Sequence, residues 1–184
     1  MKTILLLVAV VSFSVAGSAQ DAVFADGFEW GDAGDWSTAE PVRCDRLEAF
    51  GRGLAPTSGI HVATSGNNST GNGSAGNPYA TISRAVQDAV PGSAIVVHEG
   101  TYSGGVYLSD LEGTASAPIW IGGASGEARP IIDGGGEGLH LTRGKYLVIH
   151  DLEVRNAADN GINTDDGGDY GNPLATHHVT FKGL

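Results

Sequence analysis

The stretch IIDGGGEGLHLTRGKYLVIHDLEV, residues 131–154, alternates short apolar segments with turns rich in glycine and charged residues. Ile131-Ile132-Asp133 is followed 21 residues later by Leu152-Glu153-Val154, and Leu139-His140-Leu141 is followed 22 residues later by Gly161-Ile162-Asn163. The gaps are too short to hold helices. Three strands of about five residues and three tight turns amount to roughly 22 residues, so each recurrence returns the chain to the same face one coil later. The pattern therefore predicts an all-β parallel solenoid.

The chain begins with the features of a secretory signal sequence. Lys2 is followed by an apolar run from Ile4 to Val15 and then by Gly17-Ser18-Ala19, an order that is typical of a cleaved leader. This run is too short to cross a bilayer, and no other stretch of the sequence reaches about 18 apolar residues. We therefore expect residues 1–19 to be removed, and the mature protein to be soluble, outside the cytoplasm and without a membrane span.

The chain is strongly acidic. Its 184 residues include 10 Lys and Arg against 21 Asp and Glu, a net charge of −11. Removal of residues 1–19 takes away one lysine and brings the net charge to −12. A protein with this charge repels nucleic acid and other polyanions unless a cation bridges them. We therefore expect no nucleic-acid partner, and we expect a monomer.

Residues 20–57 differ in composition from the rest of the chain. They hold eight acidic and three basic residues, few aliphatic residues and no sustained period, which predicts a loosely ordered acidic segment. Within them, Phe24–Asp32 resembles a short motif of secreted bacterial proteins, F-x-D-G-F-E-x-G-D. A small aromatic patch that packs on neighbouring structure is the alternative interpretation of this segment.

Residues 58–184 are predicted to form the solenoid domain. They stop at Leu184, directly after a predicted strand and without a capping element, whereas a solenoid needs caps at its open ends. We therefore expect these residues to be the N-terminal part of a longer solenoid. Cys44 is the only cysteine, so no intrachain disulfide is possible within residues 1–184.

A short amphipathic helix is predicted before the first coils. Residues 60–63 have the pattern of a first strand, and Thr81 is a good N-cap for a helix that runs to about Val90, where Pro91-Gly92 ends it. One stripe of this helix is apolar and consists of Ile82, Ala85, Val86 and Ala89. We expect it to cover the open N-terminal end of the solenoid core.

Six segments along residues 60–184 share a pattern with one family of secreted proteins: Val62–Asn67, Gly76–Ile82, Pro91–Val97, Gly100–Tyr102, Gly113–Ile119 and Pro130–Gly134. They resemble the N-terminal cap and first coils of right-handed parallel β-helix proteins, nearest to pectate lyases of the family 9 type and their relatives. The resemblance implies an all-β fold, a right-handed parallel β-helix with an N-terminal capping α-helix.

One coil carries a long insertion. Residues 146–149 and 178–181 are predicted to be equivalent strands, yet Leu147 and Val179 lie 32 residues apart, about ten more than one coil requires. The excess falls on residues 165–173. Because loops on a rigid scaffold often carry binding residues, this insertion is the first place to look for a functional site.

The insertion holds the densest carboxylate cluster of the region, Asp165, Asp166 and Asp169. Three carboxylates this close repel one another unless they are solvated or bridged by a cation. Calcium takes about six to eight oxygen ligands, and Asn163 or Asp159 together with backbone carbonyls would add to the three carboxylates. An ordinary solvated turn built from Asp, Gly, Asn and Pro is the alternative.

The family resemblance gives this cluster a specific meaning. In the lyases that the chain resembles, an Asp-Asp-x-x-Asp group binds the essential calcium ion, and Asp165, Asp166 and Asp169 match that spacing. The resemblance therefore implies β-elimination on an acidic polysaccharide, with a lysine or arginine as general base. The family's base, a lysine on a later coil, is expected beyond Leu184, and Lys182 is expected to be an outward-facing strand residue.

Two other functions fit the same residues. A non-catalytic surface or adhesion module would use the long face of the coil to bind glycan or protein, and a structural spacer would use it for neither purpose. A lysine or arginine that faces the acidic loop from a neighbouring coil would favour the enzyme.

Side-chain alternation predicts which residues face the core. The outward set includes Glu153, Thr180 and three histidines, His98, His140 and His150. His177 and His178 are neighbours on one strand and are expected to point to opposite faces, which would keep them from sharing a metal ion. The inward set is Leu139, Leu141, Leu152, Val154, Ile162, Val179 and Phe181.

Overall fold

The structure, a computed structural model, describes residue 51 and residues 53–184. The expected signal sequence of residues 1–19, the Phe24–Asp32 motif, Cys44 and most of the acidic segment lie outside the described residues. In the described part of the chain, no helix is long and apolar enough to span a membrane.

Strands dominate the described residues, which contain one short helix. The helix α1 spans Ile82–Val86. The strands are β1 (Ser58–Val62), β2 (Ser93–Val97), β3 (Thr101–Ser103), β4 (Val106–Ser109), β5 (Ile119–Gly123), β6 (Ile131–Asp133), β7 (Leu139–Thr142), β8 (Lys145–His150), β9 (Glu153–Arg155), β10 (Ile162–Asp165) and β11 (His177–Lys182).

The strands form three parallel sheets. Their orders are β1-β2-β5-β8-β11, β4-β7-β10 and β3-β6-β9, and every strand pair within them is parallel. Consecutive strands such as β5, β6 and β7 enter three different sheets, so three strands complete one coil and the next three repeat it. This arrangement confirms the parallel β-helix that the spacing of the apolar segments predicts.

The register between coils differs by one residue from the sequence expectation. Ile132 pairs with Val154, a spacing of 22 rather than 21 residues, and Leu139 pairs with Ile162, a spacing of 23 rather than 22 residues. The predicted spacings were wrong because they matched segments without matching faces. A shift of one residue moves every side chain to the other face, and the observed register stacks the buried Ile132 on Val154 and the buried Leu139 on Ile162.

The inward set is largely confirmed. Phe181 is the exception, since it is 40% exposed although it pairs with the buried Ile149. Phe181 lies on β11, which has a neighbouring strand on one side only among the described residues. Three of the predicted inward residues are fully buried and three more pack against the core: Leu139, Leu141 and Leu152, then Val154, Ile162 and Val179.

The helix α1 closes the N-terminal end of this core. Its cap is Thr81, whose side-chain oxygen accepts a hydrogen bond from the Arg84 backbone N–H at 3.3 Å. Ile82 and Ala85 are buried, and the helix packs against β1, β2 and β4. It is shorter than predicted because the backbone hydrogen bonds after Val86 tighten to the i−3 carbonyl, as in Asp88 to Ala85.

Candidate functional site

The acidic insertion lies between β10 and β11. Leu147 pairs with Val179, so the 32-residue coil that the sequence predicts is confirmed. Asp165 is the last residue of β10, and Asp166 and Asp169 follow in the loop. An open cleft of about 400 Å³ is lined by Thr164, Asp165, Asp166, Tyr170, Asn172, Pro173 and Thr176.

Each of the three carboxylates accepts a hydrogen bond from a residue two or three positions later in the chain. Asp165 Oδ1 accepts from the Gly167 backbone N–H and Asp166 Oδ1 from that of Gly168, each at 2.9 Å. Asp169 Oδ2 accepts from the Asn172 side-chain amide at 2.9 Å. Both glycines have positive φ, 66° and 84°, a conformation that costs residues with a Cβ atom about 1–2 kcal/mol. The tight turn after β10 therefore depends on this glycine pair.

The donor chemistry of the cluster fits calcium. Each ionised carboxylate offers about four acceptor positions, and the bonds described above use only part of them. Carboxylate and carbonyl oxygens are the ligands that calcium takes. Within residues 53–184, however, no three His, Cys, Asp or Glu side chains are already gathered around one point as metal ligands. The structure thus brings Asp165 and Asp166 to one cleft and leaves Asp169 bonded to Asn172.

The other two candidate ligands lie on β10 and in the turn that precedes it. Asn163 is on β10, where its side-chain amide donates to Glu137 Oε1 at 2.9 Å. Asp159 is in the turn before β10, with its backbone N–H bonded to the Gly136 carbonyl at 2.8 Å. Only Asn163 is on the same strand as Asp165.

A polar cluster on the outer face of the sheet β4-β7-β10 adjoins Asp165. Tyr107, His140 and Asn163 occupy the same position on three successive strands. His140 Nε2 lies 2.7 Å from Asp165 Oδ2, and His140 Nδ1 contacts Glu137 Oε2. His140 therefore lies between two carboxylates that belong to different coils.

His140 faces outward, as the side-chain alternation of β7 predicts, and it also makes a contact with Asp165 that the alternation does not predict. The alternation on β7 and β10 was a sufficient signal for the direction of the side chain. The contact depends on the 23-residue register, in which Asn163 pairs with His140 and Asp165 with Thr142. The expected spacing of 22 would have set Asn163 against Leu141.

Hydrogen bonding holds the pKa of Asp165 below its usual range. The largest cause is the Gly167 backbone N–H, followed by His140, while partial burial acts in the opposite direction. Asp165 is therefore ionised at neutral pH. An ionised carboxylate only accepts hydrogen bonds, so His140 Nε2 is the donor to it.

Arg143 is a basic residue that contacts the acidic loop, although no sequence pattern indicates it. Its guanidinium makes two hydrogen bonds to the Asp110 carboxylate, at 2.6 and 2.8 Å, and reaches the Gly167 carbonyl at 3.4 Å. The bond to Asp110 raises the pKa of Arg143, and Asp165 and Asp169 add to the rise. Arg143 is thus a fixed positive charge beside the acidic loop and is unsuited to act as a base. Lys182 lies on β11, in a different sheet from Asp165.

The expectation for His177 and His178 was wrong. Their Nδ1 atoms are 2.7 Å apart, and the two rings meet edge to face. The reason is the backbone of His178, whose φ of 52° breaks the strand alternation. Tyr146, directly before Leu147 on β8, has the same φ of 52° and stacks on the His178 ring.

Comparison with known proteins agrees with this architecture. Residues 60–184 match the family described as Pel9A-like, right handed beta helix region. The chain belongs to this family. The coil described above is accordingly a right-handed parallel β-helix, as the sequence resemblance implied.

Solved structures with the same fold include pectate lyase Pel9A, with a TM-score of 0.50 and 26% sequence identity over 62% of this chain and 32% of that chain. A rhamnogalacturonan lyase matches with a TM-score of 0.36 and 19% identity, over 50% of this chain and 28% of its own. The GH136 lacto-N-biosidase from Eubacterium ramulus matches with a TM-score of 0.46 and 21% identity, over 68% and 23%. No curated protein matches the sequence. The chain spans about a third of the length of Pel9A.

Proposed function

We propose that this protein is a secreted, calcium-assisted polysaccharide lyase that cleaves an acidic polysaccharide by β-elimination. The observation that carries the proposal is the position of Asp165 and Asp166, which line an open cleft at the end of β10. The chain belongs to the Pel9A-like family, and pectate lyase Pel9A has a similar fold.

Asp165 and Asp166, which line the cleft, would hold the calcium ion, together with Asp169 once its carboxylate is released from Asn172. When bound, this ion neutralises a uronate carboxylate and makes the adjacent C5 proton more acidic. The bonds from the backbone of Gly167 and Gly168 orient two of the carboxylates toward the turn. The positive charge of Arg143 lies under the same turn, where it offsets part of the repulsion among the carboxylates.

The elimination itself needs a base. The base takes the C5 proton, the C4–C5 double bond forms, and the C4–O bond breaks so that the leaving oxygen departs with the other half of the polymer and takes up a proton. Arg143 is tied to Asp110, and Lys182 lies on another sheet. We therefore propose that a lysine or arginine from a coil beyond Leu184 supplies this base.

A non-catalytic glycan-binding module is the second candidate. It is favoured because Arg143, the basic side chain that contacts the acidic loop among the described residues, is paired with Asp110 and is therefore unsuited to act as a base. Such a module would bind the same acidic polymer through calcium without breaking it.

The test is product formation by the full-length protein on polygalacturonate, followed through the ultraviolet absorbance of the unsaturated product. The lyase predicts a signal with calcium that disappears with chelator and in the Asp165→Asn/Asp166→Asn variant. Glu99→Gln, which changes an exposed carboxylate after β2, is the matched control and should keep the activity. Binding of the polymer without product would favour the second candidate, and neither binding nor product would contradict both.

A further inference from the structure

His140 contacts side chains of three successive coils on the outer face of β4-β7-β10. One ring nitrogen faces Asp165 and the other faces Glu137. The ring of Tyr107, on the preceding coil, packs against the His140 ring with their centroids 5.1 Å apart. Asn163, on the following coil, donates a hydrogen bond to Glu137. These contacts come from three coils, so the position of the imidazole is determined by the packing of the solenoid.

The imidazole and its carboxylate partner are sheltered from solvent. The side chains of His140 and Glu137 are 18% and 19% exposed, against 38% for Asp165. Water competes less with a largely buried hydrogen bond than with an exposed one, so the buried bond restricts the position of its acceptor more strongly. Glu137 and His140 thus form the less exposed end of a chain of hydrogen bonds that ends at Asp165.

Asp165 is held differently from the other two carboxylates of the loop. Its Oδ1 accepts from Gly167, its Oδ2 from His140, and its backbone carbonyl accepts from the Thr176 hydroxyl at 2.6 Å. The described bonds of the Asp166 and Asp169 carboxylates come from within the loop itself. Asp165 is therefore the carboxylate whose direction is set by a neighbouring coil.

We propose that His140 is a positioning residue, which with Glu137 behind it fixes the Asp165 carboxylate in the orientation that binds the cation. The inference rests on the proposed calcium site. Hydrogen-bond partners behind metal ligands commonly set affinity, and their loss typically lowers it by about 10–100-fold. His140 acts through its Nε2 donor and touches neither the cation nor the substrate in this role.

The test compares two substitutions at residue 140 in the full-length protein. His140→Gln keeps an amide donor that can reach Asp165, and His140→Leu has none. Calcium affinity is measured by calorimetry, and the number of water molecules on bound terbium is measured from luminescence lifetimes. His98→Leu is the matched control, because His98, directly after β2, also pairs with a carboxylate, that of Glu127 at 2.8 Å.

We expect wild type, His140→Gln and His98→Leu to bind calcium alike, and His140→Leu to bind about 10–100-fold more weakly with more water on terbium. The melting temperature in chelator should be similar for the two residue-140 variants. If His140→Leu does not fold, Glu137→Ala decides, since weaker calcium binding supports the proposal and unchanged binding overturns it.

Two failures are distinguishable. If wild type does not bind calcium, the proposed cation site fails and the inference fails with it. If wild type binds but His140→Leu binds equally well, or His140→Gln loses as much as His140→Leu, the cation site stands and only the positioning role is overturned.

Discussion

Arg143 and Asp110 occupy the same position on successive coils and are joined by two hydrogen bonds of 2.6 and 2.8 Å. Each follows directly on a paired strand residue, Thr142 and Ser109, and each has a left-handed backbone, with φ of 52° and 56°. The stacking of the coils thus places a guanidinium beneath the acidic loop. Because this charge lies beside the proposed cation site, it should oppose cation binding.

Arg143→Gln should therefore strengthen calcium binding. Removal of one positive charge near a partly exposed site is worth about 0.2–1 kcal/mol, or up to roughly fivefold in affinity. The measurement is calorimetric titration at low and at high salt, and the gain should shrink at high salt because exposed charges are screened. Arg155→Gln, which breaks a similar pair with Asp133 on another sheet, should leave the affinity unchanged. Weaker binding by Arg143→Gln would show that the guanidinium supports the loop more than it repels the cation.

The glycine pair after β10 offers a matched test of backbone strain and steric fit. Alanine at either position should cost about 1–2 kcal/mol, because both residues have positive φ. Gly167→Ala should lower the free energy of unfolding more than Gly168→Ala. A Cβ at residue 167 would lie 1.9 Å from Arg143 Nη1, whereas a Cβ at residue 168 would have no atom within 4 Å. Urea denaturation gives both values. Equal losses would mean that the guanidinium moves aside without cost.

Calcium should raise the melting temperature of the full-length protein if it binds the native state alone. The free energy of unfolding should rise by about 2.7 kcal/mol when calcium is at a hundredfold excess over its Kd. The shift should vanish in Asp165→Asn/Asp166→Asn and persist in Glu99→Gln. An equal shift in wild type and the double variant would place the cation elsewhere.

Acid should destabilise the coil through its paired carboxylates. Hydrogen bonds from Asn156 and then Arg155 hold the pKa of Asp133 below its usual value. A carboxyl group whose pKa is lower in the folded state contributes stability above its unfolded pKa of about 4, and this contribution is lost as the pH falls through the folded pKa. Urea midpoints measured from neutral pH to about pH 3 should therefore fall on acidification, and less steeply in Asp133→Asn. The same slope in both proteins would exclude a contribution from this carboxylate.

The sequence alone determined the parallel coil, the inward aliphatic residues, the capping helix and the coil that carries the acidic insertion. These features depend on short-range properties: strand alternation has a period of two, turns of a few residues exclude helices, and Thr81 caps a helix through its own next turn. They were predictable because each needs only residues that are close in the chain.

Only the tertiary structure decided the contacts between coils. His140 meets Asp165 across 25 residues, and Arg143 lies under Gly167 across 24 residues, because the register is 23 at β7 and β10 rather than the expected 22. His177 and His178 meet because the backbone of His178 turns left-handed. A change of one residue in register reverses every face of a strand, so side-chain partners in neighbouring coils follow from the packing of the whole solenoid and cannot be obtained from local pattern alone.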